Sequence, residues 1–320
     1  MKNLSAGKLL ISIIIVNHNT GAILKDCINS VLKHENSIKP EIIIIDNFSS
    51  DDSREIIKEL TGKENNISSI FTDSLISFSA ANNLGIKKAK GEYVLIMNPD
   101  IIFTEPVLES LVLAMKSNGN IGAISPALRG TDGNFQRNYF QRYPTIRQFV
   151  YFFSVLAPLF NKSASRMNRY LENQEIDVKE KKIFYTEQIP CAFFLTTKQI
   201  LSEAGFMDER YILFFEDVDL SYSIHKKYLL AVDTNTQVTH LGGSSFKTND
   251  NWWLHGRFIY SMYTFFSKNY TAGKARTLKF LIKLNSYFII FIENIKGIFG
   301  KKDYYRYKKH DHLLNLFNEK

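Results

Sequence analysis

Short apolar runs alternate with helix-like stretches along the first hundred residues. The runs are dense in Ile and Val, which is typical of strands buried on both faces of a parallel sheet. Polar residues that cap helices, such as Asn19 and Thr20, stand where a helix would begin. The pattern predicts strands at residues 10–16, 41–45, 70–72 and 93–97, and helices at residues 22–33, 53–60 and 80–88. This order predicts an α/β fold with a doubly wound, mostly parallel sheet.

The middle of the chain has a weaker pattern. Residues 129–142 are polar and turn-rich, and residues 163–182 are polar and predicted to be mobile. Strands are predicted at residues 123–127, 192–196 and 231–233, and helices at residues 143–161, 198–204 and 217–227. The chain contains no repeat and no low-complexity tract.

Polar side chains follow three of the predicted strands. Asn17 comes after the first strand, Asp46 after the second, and Asp100 after the strand at residues 93–97. Ligands of doubly wound sheets bind beyond the carboxyl ends of the strands. These three residues are therefore predicted to face a ligand.

Two acidic clusters and one histidine suggest a specific chemistry. Asp100 and His240 supply the oxygen and nitrogen ligands that hold a divalent cation against phosphate oxygens. The second cluster, at residues 216–219, contains Asp217, and an acid in a partly apolar setting can act as a general base. Together they suggest chemistry on a nucleotide-activated substrate.

Six sequence motifs occur in the order expected for one known family. The chain resembles the family 2 glycosyltransferases of the GT-A fold, and specifically their rhamnosyltransferase-like branch. The resemblance covers about residues 11–245 and rests on motifs at residues 13–19, 45–51, 78–85, 95–100, 205–220 and 240–244. Any one motif would be weak evidence, whereas six in order are strong evidence.

The resemblance implies a role for each motif. Asp217 is expected to be the catalytic base, and Asp100 with His240 to hold Mg²⁺ or Mn²⁺. The donor-binding residues are expected to be Val16, Asn17, Asn19, Asp46, Asn47, Asn82, Asn83 and Asn98. Relatives often have Asp where this chain has Asn98, which increases the expected importance of His240. Relatives often have Gly in place of Cys191, on the side where the acceptor is expected.

The implied reaction is an inverting sugar transfer from a nucleotide donor to a hydroxyl of a saccharide or lipid-linked saccharide. The branch implies L-rhamnose from dTDP-rhamnose, in bacterial cell-surface polysaccharide assembly. The alternatives are the same chemistry with another donor, such as a UDP-hexose, and a nucleotide-sugar-binding protein without activity. That last class should lack Asp217 and His240, and both are present.

Two other enzyme classes would leave different motifs in the sequence. A dehydrogenase would carry G-x-G-x-x-G after the first strand, and a nucleotidyltransferase would carry a Gly- and Lys/Arg-rich loop there. Residues 17–20 match neither motif.

Some of the candidate residues could have simpler structural roles. Asp46 could merely end a strand, and His240 could be a core histidine. Asp219 is the candidate for an acid that only favours the helix dipole. The sequence leaves open whether Asn82 or Asn83 contacts the donor.

Size and composition agree with an enzyme in a reducing compartment. The 320 residues suffice for one large domain and an appendage. Two distant cysteines, Cys27 and Cys191, argue against a disulfide framework or a zinc site, and no signal peptide is predicted at the N-terminus. The expected domains are a catalytic domain at residues 1–245, with its nucleotide-sugar half at 1–100 and its acceptor half at 101–245, and a helical region at 246–320.

The C-terminal region holds most of the excess positive charge. From residue 270 onward there are eleven Lys and Arg but four Asp and Glu, in a chain of net charge +8. Residues 278–292 are apolar but interrupted by Lys279 and Lys283, as in a helix that lies in a membrane surface. A cytoplasmic enzyme bound to the inner face of the membrane, with no nucleic-acid partner, is therefore expected. The alternatives are a tail packed on the catalytic domain and, for a basic tail, nucleic-acid binding.

Overall fold

A computed structural model describes residues 10–160, 176–242 and 251–318 of the chain. The predictions made for residues 163–175 and for Gly243, Ser244 and Ser245 lie outside these ranges.

Nine strands form one mixed sheet in the described residues. The strands are β1 Ile11–Asn17, β2 Glu41–Asp46, β3 Ile67–Phe71, β4 Tyr93–Met97, β5 Ile101–Phe103, β6 Ile121–Arg129, β7 Ile183–Thr186, β8 Phe193–Thr197 and β9 Leu229–His240. Their order is β3-β2-β1-β4-β8-β6-β9-β5, with β7 on β9. The first four strands are parallel, and β8 joins them antiparallel to β4.

Helices cover both faces of this sheet. They are α1 Gly21–His34, α2 Ser53–Lys63, α3 Phe78–Lys88, α4 Leu108–Ser117, α5 Lys198–Ala204 and α6 Glu216–His225. The β-branched strand residues alternate between two cores, so that Ile13 packs in one and Ile14 in the other. A Cβ added to Gly85 would lie 2.5 Å from Ile14 Cγ2, so α3 approaches the sheet closely only with glycine there. The predicted α/β fold is confirmed.

Several predicted elements differ from the structure. The strand predicted at residues 70–72 is Ile67–Phe71, and the short strand predicted at residues 231–233 belongs to Leu229–His240. The helix predicted at residues 143–161 is present as shorter helical segments, Ile146–Gln148 continuing into Phe149–Phe153, and then Ala157–Phe160. Elements β5, α4 and β7 were not predicted. The two strands are three and four residues long and leave little periodic signal, whereas α4 does carry a helical pattern, with Leu108, Leu111, Val112 and Met115 buried.

The described residues divide into two compact units. The first contains residues up to 141 together with 176–209 and 217–242, and it holds the whole sheet. The second contains residues 142–160, 210–216 and 251–318. The domain boundary expected near residue 245 stays a prediction.

Three long helices make up most of the second unit in the described residues, and we call this unit the helical unit. They are α7 Trp252–Asn269, α8 Ala272–Ile298 and α9 Tyr304–Leu316, and each packs against the other two. The Glu293 carboxylate is buried in α8 and accepts hydrogen bonds from Lys296, Arg306 and the main chain of Asp303. No helix among the described residues has an apolar stretch long enough to cross a bilayer.

Candidate functional site

Strands β1 and β2 end side by side in a network of polar groups. Asn17 lies opposite Asp46 in the strand register. Asn17 Nδ2 donates to Asp46 Oδ1 at 3.1 Å and to Ser49 Oγ at 3.1 Å. Arg54 Nε donates to Asp46 Oδ2 at 3.0 Å, and both Asn17 and Asp46 are fully buried. Arg54 is a partner of Asp46 that the sequence pattern did not single out.

The remaining predicted donor residues of this edge shape its loops. Val16 is buried near the end of β1. Asn19 is exposed in the left-handed region at φ 54°, which asparagine tolerates, and its Oδ1 accepts from Ser50 N at 2.7 Å. Asn47 Nδ2 donates to Ile76 O at 2.9 Å, and Asn47 Oδ1 accepts from Ile76 N at 3.0 Å. These bonds fix the chain that leads into α3.

Asn82 and Asn83 have different environments on α3. The Asn83 side chain uses both of its polar atoms within the protein. Its Nδ2 donates to Met207 O and to Glu209 Oε1, the latter at 2.9 Å, and its Oδ1 accepts from Met207 N. Asn82 Nδ2 donates to Phe78 O at 2.9 Å. Asn82 Oδ1 is buried and accepts no hydrogen bond in the described part of the chain. Of the two residues, Asn82 therefore has the acceptor that a ligand hydroxyl could use.

Asp100 and His240 lie next to each other at the start of β5 and the end of β9. Ile101 pairs with His240 in the antiparallel ladder. His240 Nε2 lies 3.4 Å from Asp100 Oδ1, and Gly242 N donates to Asp100 Oδ2 at 3.2 Å. Both residues are almost fully buried. The 3.4 Å separation exceeds the roughly 2.7–2.9 Å of a charge-assisted hydrogen bond.

Gln136 sets the tautomer of His240. Its Nε2 donates to the carbonyl oxygen of His240 at 3.0 Å, so its Oε1 is the atom that faces His240 Nδ1 at 2.8 Å. Because an amide oxygen only accepts, Nδ1 carries the proton. In the neutral ring the lone pair of Nε2 therefore points toward the Asp100 carboxylate. Gln136 lies in the turn-rich segment, where nothing in the sequence indicated a role.

This donor set fits a divalent cation. His240 Nε2 and Asp100 Oδ1 face each other and are both atom types that bind metals, and a ligating histidine commonly donates its other N–H to an oxygen. In the described residues no third His, Cys, Asp or Glu completes a cluster. A site with two protein ligands suits Mg²⁺ or Mn²⁺ that also binds substrate phosphates.

The charge of Asp100 affects its neighbours. The ring of Tyr139 meets the His240 ring edge-on, with centroids 4.8 Å apart. Burial, and then the negative charge of Asp100, raise the pKa of Tyr139. The same two causes raise the pKa of the buried Cys27 thiol. Burial is the larger cause of both shifts, and the smaller part reflects the negative charge of Asp100, to which a cation would be attracted.

The Asp217 carboxyl group lies in the first turn of α6. Its Oδ1 accepts from the main-chain N–H of Val218 at 2.8 Å, and the main-chain N–H of Cys191 also bonds the carboxyl. Burial raises the pKa of Asp217 above its ordinary value, although these N–H groups oppose part of the shift. A raised pKa makes the carboxylate a better proton acceptor.

The residues just before β8 contact both Asp217 and the loop that carries Asp100. Met97 pairs with Phe193, so the carboxyl end of β4 lies beside the start of β8. Asn98, which is half-buried, donates from its main-chain N–H to Ala192 O at 3.1 Å. The next residue toward the N-terminus is Cys191, whose N–H bonds Asp217. Asp217 and the Asn98–Asp100 loop therefore share one edge of the sheet.

The chain directly before α6 has an uncommon backbone. Phe214 and Phe215 both adopt left-handed φ, at 66° and 68°, which bulky residues rarely do. Both rings pack on Phe258 of α7, with centroids 5.6 and 5.1 Å away. Strained backbone of this kind persists where surrounding packing holds it, often at functional sites.

Comparison with known proteins agrees with this geometry. The family model "Glycosyl transferase family 2" matches residues 12–193. Glycosyltransferase GlyG of Streptococcus pneumoniae is 28% identical over 224 residues, which are 69% of this chain and 66% of GlyG. Poly-beta-1,6-N-acetyl-D-glucosamine synthase of Staphylococcus epidermidis is 33% identical over 117 residues, 36% of this chain and 27% of the synthase. The chain thus spans about two thirds of the first relative and about a quarter of the second.

Solved structures share the fold. GalNAc-T7 with UDP, GalNAc and Mn²⁺ has a TM-score of 0.55 at 17% identity, over 73% of this chain and 43% of GalNAc-T7. TarS 1–349 of S. aureus has a TM-score of 0.51 at 12% identity, over 95% of this chain and 88% of that one. At these identities the likeness concerns the fold alone. The family match over more than half of the chain is what decides membership: the chain belongs to glycosyl transferase family 2.

Proposed function

We propose that this protein is an inverting glycosyltransferase, which moves a sugar from a nucleotide donor to a hydroxyl of a saccharide or lipid-linked saccharide. The observation that carries the proposal is the Asp100–His240 pair, in which His240 Nε2 faces a buried carboxylate on the same sheet edge as Asp217. Family membership supports the same reaction.

The carboxyl ends of β1 and β2 form the donor end of the proposed site. Asn17 and Asp46 would bind the base or ribose, at the position where doubly wound sheets hold nucleotides. Asn82 would bind a donor hydroxyl through its unshared Oδ1. Asp100 and His240 would hold the divalent cation, which supplies positive charge for the departing diphosphate when it is bound.

Asp217 would act on the acceptor. The acceptor oxygen attacks the anomeric carbon as the bond to the diphosphate breaks, and the bonding electron pair leaves with the nucleoside diphosphate. The acceptor proton passes to the Asp217 carboxylate. A single displacement of this kind inverts the anomeric centre.

Two nucleotide sugars are candidates for the donor, and an activity assay can distinguish them. Resemblance to the rhamnosyltransferase-like branch favours dTDP-L-rhamnose, in assembly of a bacterial surface polysaccharide. The polymer named for the S. epidermidis relative and the UDP bound to GalNAc-T7 favour a UDP-hexose as second candidate.

A panel of nucleotide sugars tests the donor. Purified protein with Mn²⁺ and a lipid-linked saccharide acceptor should release dTDP from dTDP-rhamnose faster than it releases nucleotide from any UDP-hexose. Preferential release from a UDP-hexose would select the second candidate. If no donor is turned over while nucleotide sugars still bind, the chain is a binding protein and the proposed activity is wrong.

We also propose that helix α8 binds the protein to a membrane surface. Seven apolar residues of α8 are exposed and, at spacings of three and four, share one face of the helix. This exposed stripe consists of Phe280, Leu284, Tyr287, Phe288, Phe291, Ile295 and Ile298. The opposite face is already covered, with Leu278, Ile282 and Ile289 buried.

The positive charges on α8 favour an anionic lipid surface as the partner of the exposed stripe. The helix carries Lys274, Arg276, Lys279, Lys283 and Lys296. Its one acid, Glu293, is fully buried and paired with Lys296 and Arg306. The solvent side of α8 therefore presents cations beside the apolar stripe, as membrane-surface helices do. We therefore propose that the protein binds the cytoplasmic face of the cell membrane.

Vesicle binding tests this surface. The double variant Phe280→Gln/Phe291→Gln should bind anionic vesicles at least about tenfold more weakly, because two aromatic rings no longer insert. The control Leu75→Gln/Leu113→Gln, which changes two exposed leucines of the other unit, should bind as the unchanged protein does. High salt should weaken binding without abolishing it.

Three outcomes would contradict the membrane proposal. The unchanged protein could fail to bind anionic vesicles, or the two double variants could bind these vesicles equally weakly. The stripe could instead join two copies of the chain, which would appear as a dimer in sedimentation that Phe280→Gln/Phe291→Gln dissociates.

A further inference from the structure

The helical unit contains a cavity that the proposed sugar transfer does not use. Its volume is about 340 Å³, enough for a small ligand. The lining combines aromatic rings with nitrogen-bearing side chains: Phe153, His255, Tyr305, Arg306, Lys309 and His310. One acid, Asp303, also lines it, and its Oδ1 caps α9 by accepting from Arg306 N at 2.9 Å.

Lys309 is a partly buried cation that no carboxylate pairs at close range in the described residues. It forms no ion pair in the described part of the chain, and its Nζ lies 5.9 Å from the centre of the Tyr305 ring. Burial, and then the charge of Arg306, lower the pKa of Lys309, while the negative charge of Asp303 offsets part of that shift. Arg306 differs, because Glu293 Oε1 lies 3.3 Å from its Nη1. A half-buried ammonium group with no close ion pair is stabilised when a ligand brings further negative charge to it.

Two histidines extend this cationic side of the cavity. The rings of His255 and His310 meet with centroids 5.7 Å apart, and His310 Nδ1 lies 3.1 Å from Ser286 Oγ. Burial, and then the charge of Lys309, lower the pKa of His255 to about 3 and that of His310 to about 4. Both rings are therefore neutral near pH 7, and each can donate one N–H to an anion.

We infer that this cavity binds a phosphate or diphosphate ester. Lys309 supplies a positive charge that is held in no close ion pair, and Arg306 and the histidines supply further N–H donors. Phosphate oxygens are the strong acceptors that such donors bind. Phe153 and Tyr305 offer apolar surface for the group esterified to the phosphate. The inference does not depend on the proposed sugar transfer, because every lining residue belongs to the helical unit.

Two sources could present this chemistry. One is the phosphorylated headgroup of a lipid, and the other is a soluble phosphate. Calorimetric titration of the full chain with octyl phosphate and with inorganic pyrophosphate separates them. Excess EDTA in both titrations removes metal-dependent binding at Asp100. Tighter binding of octyl phosphate identifies a lipid source, and tighter binding of pyrophosphate identifies a soluble one.

Lys309→Met should weaken binding of the better probe by about tenfold or more, because a hydrogen bond to a charged group is lost. Lys309→Arg should retain most of the affinity. The control Lys308→Met removes the same charge from the next residue, which is exposed and outside the lining, and should change the affinity less than twofold. Unchanged circular dichroism and thermal unfolding of Lys309→Met would show that its fold is intact.

The inference would be overturned by either of two results. The first is that neither probe binds at concentrations up to about 10 mM. Alternatively, Lys309→Met and Lys308→Met could weaken binding equally, which would mean that the probes respond to the general positive charge of α9.

Discussion

Replacing Asp217 by asparagine should lower the rate of sugar transfer by about 10²–10⁴-fold, on the order of 3–5 kcal/mol. Asparagine keeps the shape of the side chain but cannot take the acceptor proton. Donor affinity should barely change, because the proposed base faces the acceptor. The measurement is steady-state transfer alongside donor binding, with folding of the variant checked by thermal unfolding.

The pH dependence gives this prediction a second readout. Burial raises the pKa of Asp217, and the deprotonated form is the one that accepts the proton. Transfer should therefore be lost as the pH falls through this raised pKa and recovered as the pH rises above it. Asp217→Asn should remove that limb of the profile.

The neighbouring acids are matched controls for Asp217. Glu216 and Asp219 lie in the same turn of α6, and both are buried. Glu216→Gln and Asp219→Asn should retain far more activity than Asp217→Asn. If either is inactive while Asp217→Asn turns over normally, the base has been assigned to the wrong residue.

Removal of the metal should abolish turnover. Asp100→Ala should also lower transfer by about 10²-fold or more, because charge stabilisation by a metal is worth several kcal/mol. Unlike Asp217→Asn, it should weaken donor binding as well. Donor binding and transfer are measured against Mn²⁺ concentration, before and after chelation.

His240 and Gln136 refine the metal prediction. His240→Ala should raise the Mn²⁺ concentration needed for half-maximal transfer, since one ligand is lost. Gln136→Leu should raise it less, because the ring keeps its lone pair but loses the oxygen that fixes its tautomer. Full activity in excess chelator, or an unchanged Mn²⁺ titration for His240→Ala, would contradict the assignment.

Local sequence pattern predicts the parallel half of the sheet well. The strand at residues 93–97 has the predicted bounds, because a short buried run between Gly91 and Pro99 has sharp limits. Strand β9 is four times longer than the three residues predicted. Its length comes from pairing with β5, β6 and β7, which are distant in sequence. Tertiary pairing of this kind leaves no local pattern.

The candidate site was predicted unevenly for a similar reason. Asp100, Asp217 and His240 stand in recognisable motifs, and their roles remain predictions. Gln136 and Arg54 could not be found, because each matters only through a partner that folding brings to it. Likewise, pattern predicts an amphipathic α8, but which apolar face stays exposed depends on how α7 and α9 pack against it.

The position of a bound metal tests the central claim most directly. Crystals of the full chain grown with Mn²⁺ and a nucleoside diphosphate would locate the metal by its anomalous scattering. We predict one Mn²⁺ bound by the Asp100 carboxylate and His240 Nε2, with the diphosphate as a further ligand and the base at the ends of β1 and β2. A nucleotide bound elsewhere, or Mn²⁺ without contact to Asp100, would contradict the account.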